Sequence, residues 1–268
     1  METAAAPEAR FDVLVLAADR GPQDPVSCAA GVAHKCLAPV AGKPMLERVV
    51  TALAASGWVG RIAISLNDRA LAAEIPALAP LCDSGRVVPL QAAGTPSRSV
   101  LTAADELGRP FPLLVTTADH ALLTTEMVDH FCAASLASGA EVTAGVTAAG
   151  VLLARYPQSK RTYLSFRDER YSGANLFALM SEGGLQGPQV WLRAEQQRKK
   201  PWRIAAIFGP GLLVSYLLRR FSLDEAMARI SARLGFSVAA IKMPFAEAAI
   251  DVDKAEDLEL VEKILGKP

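Results

Sequence analysis

Three groups in this 268-residue chain combine residue type and spacing in a way that can do chemistry. Asp251 and Asp253 stand two apart in Ile250-Asp-Val-Asp253, so an extended backbone puts both carboxylates on one face. Two such charges repel unless a cation lies between them, which makes Mg2+ a natural partner. Asp119 closes the run Val115-Thr-Thr-Ala-Asp119. Ligands of open α/β sheets bind beyond the carboxyl ends of the strands, which is where this carboxylate falls. The plainer alternatives are a turn or cap for Asp119 and a cap of the last helix for Asp253. Lys35 lies in a polar stretch, residues 19–41, that follows the first apolar run. An ammonium there can neutralise phosphates, or it is a solvated loop lysine. Cys28, Cys36 and His34 could be metal ligands, but without a C-x-x-C they read better as small loop residues.

These residues need a frame. Residues 11–18 (FDVLVLAA) have the pattern of a strand buried on both faces. Helices are expected over 44–55, 68–78, 97–107 and 125–138, and strands over 61–66, 86–90, 112–117 and 141–147. Strands alternating with helices indicate βαβ units and a mostly parallel sheet, with ligands outside the carboxyl ends of the strands. In the second half, 160–166 and 171–179 read as a strand pair, and 189–200 and 202–220 as helical. Ser222-Leu-Asp-Glu225 is a capping box for a helix through Leu234. A strand over 236–243 and a closing helix over 256–265 follow. One domain over 1–268, elaborated between about 150 and 245, is the simplest organisation.

Composition removes other classes. Lys+Arg and Asp+Glu both number 28, so the chain lacks the basic field of a nucleic-acid binder. With 51% hydrophobic residues it is not a disordered chain. The acidic start does not read as a secretory signal, and the expected location is cytoplasmic. The apolar stretch 204–218 falls short of the ~20 residues that span a bilayer. Its basic flanks and Trp202 would suit peripheral membrane contact; a buried helix pair broken at Gly209-Pro210-Gly211 is the alternative.

Four segments in order resemble nucleotidyltransferases of the glycosyltransferase-A-like fold, which include molybdenum-cofactor guanylyltransferase and cytidylyltransferases. They are Leu16-Ala-Ala-Asp-Arg-Gly21 with Lys35 and Gly42-Lys-Pro44, then Gly94-Thr-Pro-Ser-Arg-Ser-Val100, then Asp119-His-Ala-Leu-Leu-Thr124, and finally Ile250-Asp-Val-Asp253. The resemblance implies a three-layer, Rossmann-like α/β fold. It also implies Mg2+-dependent transfer of a nucleoside monophosphate from an NTP, CTP slightly ahead of GTP, to a phosphorylated small-molecule or lipid-linked acceptor. Leu16, Ala17, Ala18, Asp19, Arg20, Gly21, Lys35, Gly94 and Ser99 would bind the nucleotide. Lys35 would stabilise the triphosphate, and Asp119 and Asp253 would hold the metal. Gly173 and Asn175 would line the acceptor pocket, near the basic residues Arg161, Arg167, Arg170, Lys199 and Lys200. Ser97 would cap the helix after Gly94. Three departures stand out: Asp19 replaces a loop glycine, Ala121 a proline, and Lys254-Ala255 a Thr-Pro. Glycine at position 19 would allow an unusual φ, so Asp19 opens the alternative of a degenerate, regulatory nucleotide-binding relative.

Overall fold

The structure is a computed structural model, and it describes residues 10–19, 21, 23–197 and 209–266. Arg20, Lys199, Lys200 and Trp202 of the sequence reading lie outside the described residues, as does the first part of 204–218.

The alternation of apolar runs and helices produces the expected sheet. In chain order the elements are β1 (Phe11–Leu16), α1 (Pro25–Ala30), β2 (Pro39–Val40), β3 (Lys43–Pro44), α2 (Met45–Ala54) and β4 (Val59–Leu66). Next come α3 (Leu71–Glu74), α4 (Ala79–Asp83), β5 (Val87–Gln91), α5 (Pro96–Glu106), β6 (Leu113–Thr117) and α6 (Thr125–Ser138). Then follow β7 (Val142–Ala148), α7 (Ala149–Arg155), β8 (Leu164–Ser165), β9 (Arg170–Leu179) and α8 (Gln186–Gln197). After the undescribed segment come α9 (Pro210–Leu217), α10 (Leu223–Leu234), β10 (Val238–Lys242) and α11 (Ala255–Leu265).

The main sheet runs β10-β7-β9-β6-β1-β4-β5, with β8 paired to β9. Every pairing among β6, β1, β4 and β5 is parallel, as is β10 with β7. Only β9 runs against β6 and β7. Successive residues of β6 serve opposite faces. Leu114 packs with Leu46, Val49, Met127 and Phe131 from α2 and α6, whereas Leu113 packs with Val100, Ala103 and Ala104 from α5. Helix, sheet and helix make three layers, the mostly parallel α/β architecture expected.

Several local expectations change. The helix expected over 68–78 shrinks to α3, because Pro76 lacks the donor a continuous helix needs; α4 begins only at Ala79, with Pro80 in its first turn. Residues 160–166 contribute only β8. The stretch 19–41 contains α1, capped by Asp24 and stopped by Gly31, and β2, whose hairpin partner β3 lies just beyond it. Gly209 and Pro210 start α9 rather than kink it. Val214, Leu217 and Leu218 are 54%, 68% and 57% exposed, so these three are not the buried helix pair. Among the described residues no helix is long and apolar enough to cross a membrane.

Phe131 is fully buried between α6 and the sheet. Phe131→Ala is expected to cost about 3–5 kcal/mol, read as a lower urea midpoint at unchanged slope.

Candidate active site

β1, β4, β5 and β6 end on one edge of the sheet, and the candidate residues gather there. The ladder continues past the strand ends through Ala17 N–H to the Ser65 carbonyl and Ala118 N–H to the Leu16 carbonyl, both 2.9 Å. That extension fixes Asp119 immediately beside the start of the first loop. Opposite it, the Val252 N–H donates to the Asp119 carbonyl at 3.0 Å, while the Val252 side chain is fully buried. The carboxyl-terminal acidic segment is thereby spliced onto the end of β6.

Lys35 opens a single 3-10 turn, Lys35–Leu37. Its Nζ donates to Asp119 Oδ2 at 2.6 Å and to Asp253 Oδ1 at 3.1 Å. Three residues separated by 84 and 218 positions thus meet at one ammonium. Burial alone would lower the Lys35 pKa, but Asp119 and Asp253 outweigh it and hold it above the ordinary 10.5. The lysine is charged. Asp119 Oδ1 is buried and lacks a hydrogen-bond partner, while the Asp253 side chain is 62% exposed. Neither aspartate caps α11, whose N-cap position is Lys254; the Asp257 carboxylate accepts the Asp253 and Lys254 N–H groups instead.

Residues 250–253 are not a strand, which corrects the paired-carboxylate reading. Their backbone bonds to Glu247, Asp119, Arg161 and Asp257 in place of a strand ladder, and the two aspartates diverge. Asp253 turns to Lys35. Asp251 is bound by Arg161 and accepts from Asn175 Nδ2 at 2.8 Å. Burial first, and then Asp253 and Asp119, push the Asp251 carboxyl above its ordinary range, against the pull of Arg161. Arg161 is only 9% exposed and also meets Asp257 at 3.3 Å. Sequence reasoning missed this pairing. Arg167 is likewise engaged with Glu225 at 3.1 Å, and Arg170 lies over the Tyr163 ring at 5.2 Å. The expected basic acceptor patch is therefore largely spent on internal partners among the described residues.

Asn175 sits at φ 48° where the β7–β9 register shifts between Ala144 and Val146. Asn tolerates the left-handed region better than most residues, and a bulge re-aims a side chain. Here it delivers the amide to Asp251. A Cβ added at Gly173, two residues earlier, would meet nothing within 4 Å, so β9 presents open space there.

After β5, Gly94 takes φ 83° and the loop is held by Ala93 N–H donating to Ser99 Oγ at 3.0 Å. The cap of α5 is Thr95, which accepts the Arg98 N–H, not Ser97. Ser97 instead donates through Oγ to Glu195 Oε1 of α8 at 2.8 Å. Helix N-termini attract anions, and α5 meets one of its own chain.

Asp19 is not strained: it takes no positive φ, and among the described residues of the stretch positive φ falls at Gly21 (100°), Gly31 (66°) and Ala41 (47°). Ala18 is exposed, Ala17 buried and Leu16 half-buried. The Cys36 thiol is pushed up to about 12, first by burial and then by Asp19, and His34 is bound to Asp19 rather than set beside it.

As a test of fit for a divalent cation, the site offers two carboxylates already arranged around a positive charge and one unpartnered buried oxygen. Among the described residues no group of three or more His, Cys, Asp or Glu forms a cage. Two carboxylates with room for phosphate oxygens match how Mg2+ is held, so the residues fit.

A family model described as a MobA-like NTP transferase domain matches residues 13–231. No curated protein matches the chain. A hypothetical transferase from Thermus thermophilus is similar at TM-score 0.76 and 30% identity, over 93% of this chain and 99% of that one. A 4-diphosphocytidyl-2C-methyl-D-erythritol synthase from Anaerococcus prevotii superposes at TM-score 0.56 and 11% identity, over 97% of each chain. A CMP:2-keto-3-deoxy-manno-octonic acid synthetase complexed with CTP gives 0.55 and 11%, over 97% and 98%. These last two likenesses are of fold.

His120 is fully buried beside Asp119. Its ring nitrogens make no hydrogen bond of good geometry, although the backbone at Ala248 is near enough to favour the charged form slightly. Burial lowers its pKa from the ordinary 6.5 to about 4. Between those values the unfolded chain holds the extra proton, so acidification from pH 6.5 to 4 weakens the fold. The rate is up to about 1.4 kcal/mol per pH unit. Above 6.5 the contribution is intact; below 4 the loss is complete. Urea melts across this range should show a shallower pH dependence for His120→Gln than for the natural chain, and equal slopes would refute the assignment.

Proposed function

The chain belongs to the MobA-like NTP transferase family and is a nucleotidyltransferase, and on that premise we propose that it moves a nucleoside monophosphate from an NTP to a phosphorylated acceptor, with Mg2+ and release of pyrophosphate. The observation that carries this reading is the Lys35 ammonium between Asp119 and Asp253.

Asp119 and Asp253 would hold the cation. Bound there, a divalent metal supplies charge neutralisation across the phosphate oxygens. The acceptor's phosphate oxygen forms the new bond to the α-phosphorus, and the bond from that phosphorus to the bridging oxygen of the β-phosphate breaks. Pyrophosphate carries the electron pair away. No covalent enzyme intermediate is needed, so the protein contributes positioning and fixed charge.

Lys35 supplies a positive charge at the end of the loop, where the triphosphate's own charge is greatest. Exposed Ala18, left-handed Gly21 and the Gly94 turn offer backbone to the nucleotide, and Leu16 and Ala17 anchor that edge in the sheet. Ser99 orders the Gly94 turn through Ala93. The acceptor would approach from the open face of β9 at Gly173, with Asn175 steering Asp251. Arg161 offsets part of the charge of Asp251 and Asp257, as Lys35 does for Asp119 and Asp253, and the net negative charge that remains suits an incoming cation.

CTP is the favoured nucleotide on the segment from Gly94 to Val100, and the CTP-bound synthetase of similar fold is in keeping with that choice. A small-molecule or lipid-linked phosphate is the acceptor class. A single domain in the cytoplasm, where NTPs are plentiful, completes the proposal.

Pyrophosphate release should be measured with each of four NTPs against phosphorylated sugars, polyols and lipids. Release with none of them, together with no Mg2+-dependent nucleotide binding by calorimetry, would overturn the proposal. Asp119→Ala should lower turnover about 100- to 1,000-fold while keeping a native circular dichroism spectrum. Full activity in that variant would exclude its metal role.

A further inference from the structure

Asp19 is a carboxylate where a nucleotide loop has little evident use for one. Its side chain is 3% exposed, so it faces into the protein rather than toward ligand. A buried carboxylate persists only with partners, and this one has three. Oδ1 accepts the Gly21 N–H at 3.0 Å. Oδ2 binds His34 Nδ1 at 2.9 Å and, more weakly, the Lys35 N–H at 3.4 Å. The Asp19 N–H in turn donates to Asn67 Oδ1 at 3.0 Å, just past the end of β4.

From this geometry we infer that Asp19 and His34 form a clasp that positions Lys35. The clasp joins the two ends of a loop fifteen residues apart. One end is fixed to the sheet by Asn67; the other is the residue adjoining Lys35 and the Lys35 backbone itself. Among its described residues the loop between them holds α1, six residues long, as its one helix or strand, too little secondary structure to set where Lys35 begins. A lysine has a long flexible stem, and aiming its ammonium at two carboxylates requires its backbone to be held. Asp19 and His34 are thus positioning residues for the lysine, and neither is assigned contact with substrate. The inference rests on the proposed role of Lys35 at the triphosphate; the clasp itself does not.

The test combines kinetics with a readout that needs no nucleotide. Asp19→Ala, His34→Ala and Lys35→Ala are made singly, and the first two are each combined with Lys35→Ala. Asp19→Ala and His34→Ala should each lower kcat/KM for the NTP about tenfold in the natural background and by little once Lys35 is gone. Amide hydrogen exchange over residues 31–38 should quicken in both clasp variants, with β1 and β6 unchanged. Costs that simply add to that of Lys35→Ala would overturn the positioning role, and unchanged exchange over 31–38 would overturn the clasp. If the natural chain releases no pyrophosphate with any NTP, the nucleotidyltransfer reading fails while the exchange measurement still decides the clasp.

Discussion

One ammonium group organises the active edge of this protein. Asp119 and Asp253 stand where the sheet ends, and their mutual repulsion would drive them apart without a cation between them. Lys35 supplies it from a separate loop. Because the three residues come from distant parts of the chain, this contact demands that the loop, the end of β6 and the segment before α11 all be in register. The hydrogen bond from Val252 to Asp119 and the pairing of Arg161 with Asp251 meet that demand from the other side. Two cations, Lys35 and Arg161, face four carboxylates here, so the chain's own residues neutralise this edge only in part.

Much of this was legible in sequence because it is periodic or short-range. Buried parallel strands declare themselves as runs such as FDVLVL, and their ends mark where Asp119 must fall. Motif order placed Lys35, Asp119 and Asp253 at one site in separate phosphate and metal roles, but not the ion pairs that join them. What could not be read was the direction of side chains in irregular backbone. Asp251 and Asp253 look equivalent under strand alternation, yet residues 250–253 bond to Asp119 and Asp257, which sends one aspartate to Arg161 and the other to Lys35. Ser97 and Thr95 are both plausible caps by composition; the path of α8, which brings Glu195 to Ser97, decides between them. Asn67 and His34 left one usable trace each: the first directly follows a strand at the ligand edge, and the second adjoins the lysine.

The exchange of glycine for Asp19 illustrates how a loop can keep its path under a different set of constraints. Glycine confers freedom, and a loop built on it relies on ligand contacts for order. With the left-handed turn assigned to Gly21, position 19 becomes available for a side chain that ties the loop to the sheet and to His34. Such preorganisation lowers the ordering cost of binding and narrows the range of shapes the loop can adopt.

The splice between Val252 and Asp119 also has a bearing on biosynthesis. A ribosome-bound chain that has completed β1 through β6 already owns its loop, its lysine and its strand-end aspartate, but the acidic segment that finishes the site is still to be translated. Until residues 250–253 emerge and dock, the Asp119 carbonyl lacks the Val252 N–H, so the end of β6 takes its final form only after the rest of the sheet has been translated.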